Sequence, residues 1–130
     1  YKRQKTGRWS RERKMVINTI IWHNPKCSKS RQALSHLNQK NITPVIRLYL
    51  ENPPTTSELE KVLLLLNLRV LELTRTKELE YKALPSNIIN DDSLLIKALT
   101  QYPKLIERPI IIKGERAVLG RTISKIEELF

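Results

Sequence analysis

Cys27 is the only cysteine in the chain and sits in the stretch IIWHNPKCSKSR, with a histidine, a proline, two lysines and two serines within four residues of it. A structural cysteine usually lies among apolar neighbours, whereas this one follows an apolar run and opens a polar segment, the setting of an accessible thiol. If Cys27 stands at the entrance to a helix, the unpaired N–H groups of the first turn and the positive end of the helix dipole face its sulfur and favour the thiolate. The thiolate is the nucleophilic form, and Lys26, Lys29 or Arg31 would favour it further by approaching. The same N–H groups can hold an oxyanion. Ser30 occupies the place where a dithiol redox protein carries its second cysteine; its hydroxyl can hydrogen-bond the sulfur but cannot resolve a disulfide. The residues describe a monothiol nucleophile, whose disulfide chemistry needs a thiol from outside the chain.

The elements that must position this thiol follow from the apolar pattern. Residues 16–22 (VINTIIW) form a short β-branched run that ends at Asn24-Pro25, which predicts a buried strand running into a turn. A helix is predicted from Ser28 to Lys40, with Ala33, Leu34 and Leu37 on one face and Asn41 ending it. Residues 44–50 (PVIRLYL) predict a second strand, parallel to the first because a helix separates them. The diproline Pro53-Pro54 breaks the chain, and Thr56 or Ser57 is expected to cap a helix that turns Leu59, Val62, Leu63 and Leu66 inward. Residues 69–102 stay helical in pattern, with Asp91 or Asp92 as a cap. Residues 109–113 and 117–119 predict two short strands joined across Gly114 and Glu115, and ISKIEELF closes the chain as an amphipathic helix. The order is β-α-β, inserted helices, then β-β-α. This is the thioredoxin arrangement with helices added in the middle: a mixed four-stranded sheet flanked by helices, in the α/β class.

Composition limits the functions open to this fold. The 130 residues are 40% hydrophobic, enough to close one core, and hold no apolar run long enough to span a membrane. Neither secretion nor membrane insertion is indicated, and a single cysteine suits a reducing, cytoplasmic setting. The net charge of +11 suggests an anionic partner until its distribution is considered. Residues 1–14 (YKRQKTGRWSRERK) hold seven Lys/Arg and one Glu, whereas the excess over the remaining chain is spread out, with no block able to act as a nucleic-acid stripe. Residues 1–14 therefore read as a basic tail, disordered or non-native, ahead of a single domain over 15–130; a basic arm for RNA or a membrane is the sharper alternative. No nucleic-acid partner is expected. His36, flanked by Ser35 on a helix, reads as a solvated residue.

Five motifs carry a resemblance to a known family. HNPKCSKSR at 23–31, YLENPPT at 49–55, LTR at 73–75, ERPIII at 107–112 and LGR at 119–121 occur in the order found in the glutaredoxin-coupled arsenate reductases and their less characterised relatives. The resemblance spans residues 16–130 and implies the thioredoxin-like fold. It implies that Cys27 attacks arsenate, that glutathione forms a mixed disulfide with the arsenic-bearing thiolate, and that glutaredoxin restores the enzyme as arsenite leaves. It also implies that Arg75, Arg108 and Arg121 bind the oxyanion, that His23 assists thiol activation by charge or hydrogen bonding, and that Pro109 corresponds to the cis-proline beside the active cysteine. Chemistry agrees with the arginine set, because planar guanidinium groups meet a tetrahedral anion bidentately and stay cationic at any working pH. No metal or bound organic cofactor is implied; glutathione is a co-substrate, and a monomer is expected.

Two other readings compete. The same fold serves transcription regulators that bind RNA polymerase without catalysis, although the well-known ones use a two-cysteine switch that Ser30 excludes here. A relative that kept the nucleophile while acting on another substrate, such as a glutathionylated protein, is the nearer alternative. Glu51 and Tyr49 belong to a recurring motif that the diproline beside them explains as a turn setting the next helix.

Overall fold

The structure, a computed structural model, describes residues 18–130. The basic segment 1–14, the boundary drawn after it and the first residues of the predicted opening strand lie outside the described residues. Strand β1 (Thr19–Trp22) leads into helix α1 (Ser28–Gln39) and strand β2 (Val45–Arg47). Helix α2 (Thr56–Leu66) follows, then a 3-10 turn (Val70–Leu73), two single-turn helices, α3 (Leu79–Lys82) and α4 (Ser86–Ile89), and helix α5 (Asp92–Gln101). A second 3-10 turn (Pro103–Leu105), the hairpin β3 (Ile110–Lys113) and β4 (Arg116–Leu119), and helix α6 (Ile123–Glu127) complete the chain. The sheet order is β2-β1-β3-β4, with β1 parallel to β2 and the β1/β3 and β3/β4 pairs antiparallel. This is the expected mixed four-stranded sheet flanked by helices, with the inserted helices between its two halves.

The sheet is covered on both faces because its central strands are apolar at every described position except their ends. Neighbouring strand residues point to opposite sides. Ile21 and Ile111 therefore pack on one side with Ala33, Leu37, Ile126 and Leu129, while Trp22 and Ile110 pack on the other with Leu59, Val62, Leu73, Leu95 and Leu99. Full burial of each such isoleucine contributes about 2 kcal/mol before entropy is counted. The first cluster clamps α1 to the sheet, and so fixes the helix whose first turn faces Cys27.

Several boundaries differ from those predicted, each for a local reason. The second strand stops at Arg47, not Leu50. The amides of Glu51 and Asn52 both donate to the Leu48 carbonyl, at 3.0 and 2.9 Å, and the Arg47 guanidinium holds the carbonyls of Asn52 and Pro53. Helix α2 is capped by Thr55, not Thr56 or Ser57: Thr55 Oγ1 accepts from the Glu58 amide, and Glu58 returns a bond to the Thr55 amide. Asp91 supplies the predicted cap of α5. The segment read as continuously helical is broken, because Thr74 forms an isolated antiparallel bridge with Ile106. Flanking that bridge, Arg75 N donates to Leu105 O at 2.7 Å and Glu107 N to Leu73 O at 2.8 Å. Those backbone groups are withdrawn from any helix. His36, expected to be solvated, is half-buried: its side chain is 18% exposed, and Nε2 meets Glu127 Oε2 at 2.6 Å, tying α1 to α6.

Candidate functional site

The approach to Cys27 is built from a strand end and a tight turn. His23 N donates to Arg47 O at 2.8 Å, continuing the β1/β2 alignment one residue past β1. Asn24 Oδ1 then accepts from the Lys26 amide at 3.0 Å, and the Asn24 carbonyl from the Cys27 amide at 3.0 Å. This Asx-type turn delivers Cys27 in an extended conformation to the N-cap of α1, where its own carbonyl accepts from Arg31 N. The thiol is partly exposed.

Below the turn, Ser30 is wholly buried and His23 is 6% exposed. Ser30 Oγ lies 2.6 Å from His23 Nδ1 and accepts from the Asn24 amide at 3.0 Å. The Ser30 hydroxyl is thus committed to the turn that carries the cysteine. What Ser30 offers the sulfur is its backbone amide.

The electrostatics of Cys27 set opposing effects against each other. Burial pushes the thiol pKa up, but the Ser30 amide, the charge and hydrogen bonding of the Arg108 guanidinium, and the Lys29 amide together bring it below the ordinary value. The amides do not form a fully developed cap hydrogen bond to the sulfur, so they act chiefly as aligned dipoles. Lys26, Lys29 and Arg31 take no side-chain part; Arg31 instead bonds the Pro25 carbonyl at 2.9 Å. His23 has its pKa lowered, first by burial and then by the Arg31 charge, which favours a neutral imidazole.

Cys27 opens onto a cleft of about 270 Å³ lined by Arg75, Thr76, Lys77, Glu78, Glu107, Arg108 and Arg121. Larger grooves of about 470, 590 and 660 Å³ lie elsewhere and hold no thiol, so the chemistry and the largest concavities do not coincide. Three separate chain segments meet Cys27 in the cleft. The Thr74–Ile106 bridge sets Arg75 against Glu107 and Arg108, and the Arg108–Pro109 peptide bond is cis. Gly120 N donates to Pro109 O at 2.8 Å, which brings Arg121 alongside. Glycine is favoured at 120 by close approach, since a Cβ there would stand 2.6 Å from Ile111 Cδ1 and that side chain would have to shift.

The three arginines are not equivalent. Arg75 Nη1 pairs with Glu78 Oε2 at 2.8 Å, and Arg121 Nη1 with Glu107 Oε1 at 3.0 Å. Arg108 Nε is buried without a hydrogen-bond partner among the described residues. A buried donor in that state has lost its hydration and is available to an anionic acceptor.

The ArsC family model matches residues 22–129, nearly all of the described chain. This chain belongs to the ArsC family. Over 115 residues it is 39% identical to a protein of Haemophilus influenzae named arsenate reductase, an alignment covering 87% of this chain and 99% of that one. It is 40% identical over 120 residues to the uncharacterised Escherichia coli protein YfgD, covering 88% and 98%. The solved structure titled arsenate reductase from Vibrio cholerae superposes with a TM-score of 0.80 at 37% identity, covering 88% of this chain and 99% of that one.

Within this ArsC-family chain, the structure brings Cys27, Arg75, Arg108 and Arg121 to one cleft, while His23 and Ser30 sit together underneath it. Sequence reasoning missed Thr76, Lys77, Glu78 and Glu107 as cleft residues. Glu78 was signalled by its spacing three residues after Arg75, and Glu107 by its place in ERPIII. Tyr49, read as part of a turn, is fully buried near the cleft charges. Burial raises its phenol to a pKa of about 12, partly opposed by Arg108 and Arg75 and reinforced by Cys27 and Glu107, so it stays protonated. Among the described residues, no group of three His, Cys, Asp or Glu side chains is placed to hold a metal ion. No helix among them is long and apolar enough to cross a membrane.

Proposed function

We propose that the protein is a cytoplasmic arsenate reductase in which Cys27 is the nucleophile and Arg108, with Arg75 and Arg121, binds the oxyanion. The observation that carries this reading is the pairing of a thiol of lowered pKa with the unpartnered, buried Nε of Arg108 in one cleft. The family's relatives named arsenate reductase support the substrate.

In the proposed reaction the Cys27 thiolate forms an S–As bond as one arsenate oxygen leaves, protonated to water. The arginines offset the charge on the remaining oxygens. Two external thiols then supply the two electrons that take arsenic from the +5 to the +3 state and end as a disulfide. Glutathione is the first of these thiols: it attacks the Cys27 sulfur to give a mixed disulfide as the S–As bond breaks with its electron pair going to arsenic, and glutaredoxin then attacks the glutathione sulfur. Arsenite departs and the Cys27 thiolate returns. An external donor is required because this chain has no second cysteine. Ser30 and His23 act through the turn: Ser30 by its amide and its grip on Asn24, His23 by holding the Ser30 hydroxyl. The protein works as a monomer.

The test is arsenate-dependent NADPH oxidation with glutathione, glutaredoxin and glutathione reductase supplied. Turnover is expected in the intact protein, none in Cys27→Ser, and a loss in kcat/KM of about 100-fold in Arg108→Ala. No turnover in the intact chain would refute arsenate as the substrate.

One observation favours a second reading. Because Glu78 and Glu107 already pair with Arg75 and Arg121, the cleft also suits a related monothiol oxidoreductase acting on a less anionic substrate, such as a glutathionylated protein. Deglutathionylation of a model protein by the intact chain, with arsenate inert, would select it.

A further inference from the structure

Four cationic side chains line the cleft, Arg75, Lys77, Arg108 and Arg121, together with two carboxylates, Glu78 and Glu107. Each carboxylate repels an anionic ligand and occupies a donor that the ligand could use. The two acids differ in how firmly they are held. Glu78 pairs with Arg75 at 2.8 Å and with Lys104 at 3.5 Å, and its side chain is 19% exposed. Among the described residues Glu107 has a single cationic partner, Arg121 at 3.0 Å, and it is 27% exposed. Its backbone is held by the bond from Glu107 N to Leu73 O.

We infer that Glu107 limits oxyanion affinity in this cleft: it holds Arg121 Nη1 and must yield it before a tetrahedral oxyanion can take that donor. The inference rests on the oxyanion-site reading given above. An ion entering the cleft meets the Arg108 guanidinium beside Cys27, whose buried Nε has no acceptor among the described residues. It gains Arg121 Nη1 only by displacing the carboxylate, which lowers affinity for every oxyanion that would use that donor. Glu78, held by two cations, acts as a fixed counter-charge that orients Arg75.

Sulfate serves as an unreactive tetrahedral probe, and its binding is read as protection of Cys27 from iodoacetamide, which requires no turnover. Glu107→Gln should bind sulfate about fivefold more tightly than the parent, the scale of one half-exposed ion pair. The gain should vanish in an Arg121→Ala background, where there is no guanidinium left to release. Glu107→Asp, which keeps the charge but shortens the reach to Arg121, should fall between the parent and Glu107→Gln, and thermal melting of each variant checks the fold. Equal or weaker sulfate protection in a folded Glu107→Gln, a gain that persists without Arg121, or no protection in any variant would overturn the inference. If sulfate protects as expected while arsenate is not turned over, the reductase reading fails and the role of Glu107 stands.

Discussion

His23 Nδ1 meets Ser30 Oγ at 2.6 Å across the turn that presents Cys27, and both side chains are buried. The pair links the end of β1 to the first turn of α1 without using the thiol. Any change in the protonation of His23 therefore acts on the turn.

The His23 pKa is lowered in the folded chain, by burial and then by Arg31. The unfolded chain thus takes up a proton first as pH falls below about 6.5. Stability contributed by the neutral imidazole is complete above that pH and is lost progressively as pH falls toward the folded-state pKa. Urea unfolding at pH 7.5 and 5.5 should show lower stability at 5.5, and His23→Gln should reduce the difference. An unchanged difference in His23→Gln would assign it to other groups.

Cys27 should react with iodoacetamide with a pH midpoint below that of a free cysteine, since the Ser30 amide and the Arg108 guanidinium outweigh burial. Arg108→Ala removes the cation that acts on the thiol and should move the midpoint upward. Arg31→Ala should leave it in place, because that guanidinium faces the Pro25 carbonyl and acts on His23. Equal shifts in both variants would mean that general surface charge sets the thiol.

Gly120→Ala drives a Cβ to 2.6 Å from Ile111 Cδ1, in a strand residue with no exposed surface. Either Ile111 leaves its rotamer or the Gly120 N to Pro109 O bond lengthens. The expected cost is about 1–3 kcal/mol in chemical denaturation. Because Arg121 follows directly, kcat/KM in the arsenate assay should fall as well, in a protein still folded at 25 °C.

Much of the scaffold was legible because it rests on local rules. The β-branched run ending at Trp22 and the apolar face of Ala33, Leu34 and Leu37 specify a strand and a helix by periodicity alone. The helix entrance at Cys27 follows from the polar turn between them, and the gap between apolar runs at Gly114-Glu115 marks the hairpin. The second strand was overextended because Arg47 folds the chain back through carbonyls of residues 52 and 53, a contact no apolar period reports.

The sequence by itself determined the single thiol, its place before a helix and its surroundings of basic residues, since these depend on residue type and short-range spacing. Tertiary structure alone decided which charges reach it. Lys26 and Lys29 are close in sequence yet contribute no side chain to the sulfur, whereas Arg108, 81 positions further along, does so because the Thr74–Ile106 bridge and the hairpin return it to the helix entrance. The same folding set Glu78 and Glu107 against Arg75 and Arg121. Electrostatic interaction falls off with distance in space and has no memory of distance along the chain.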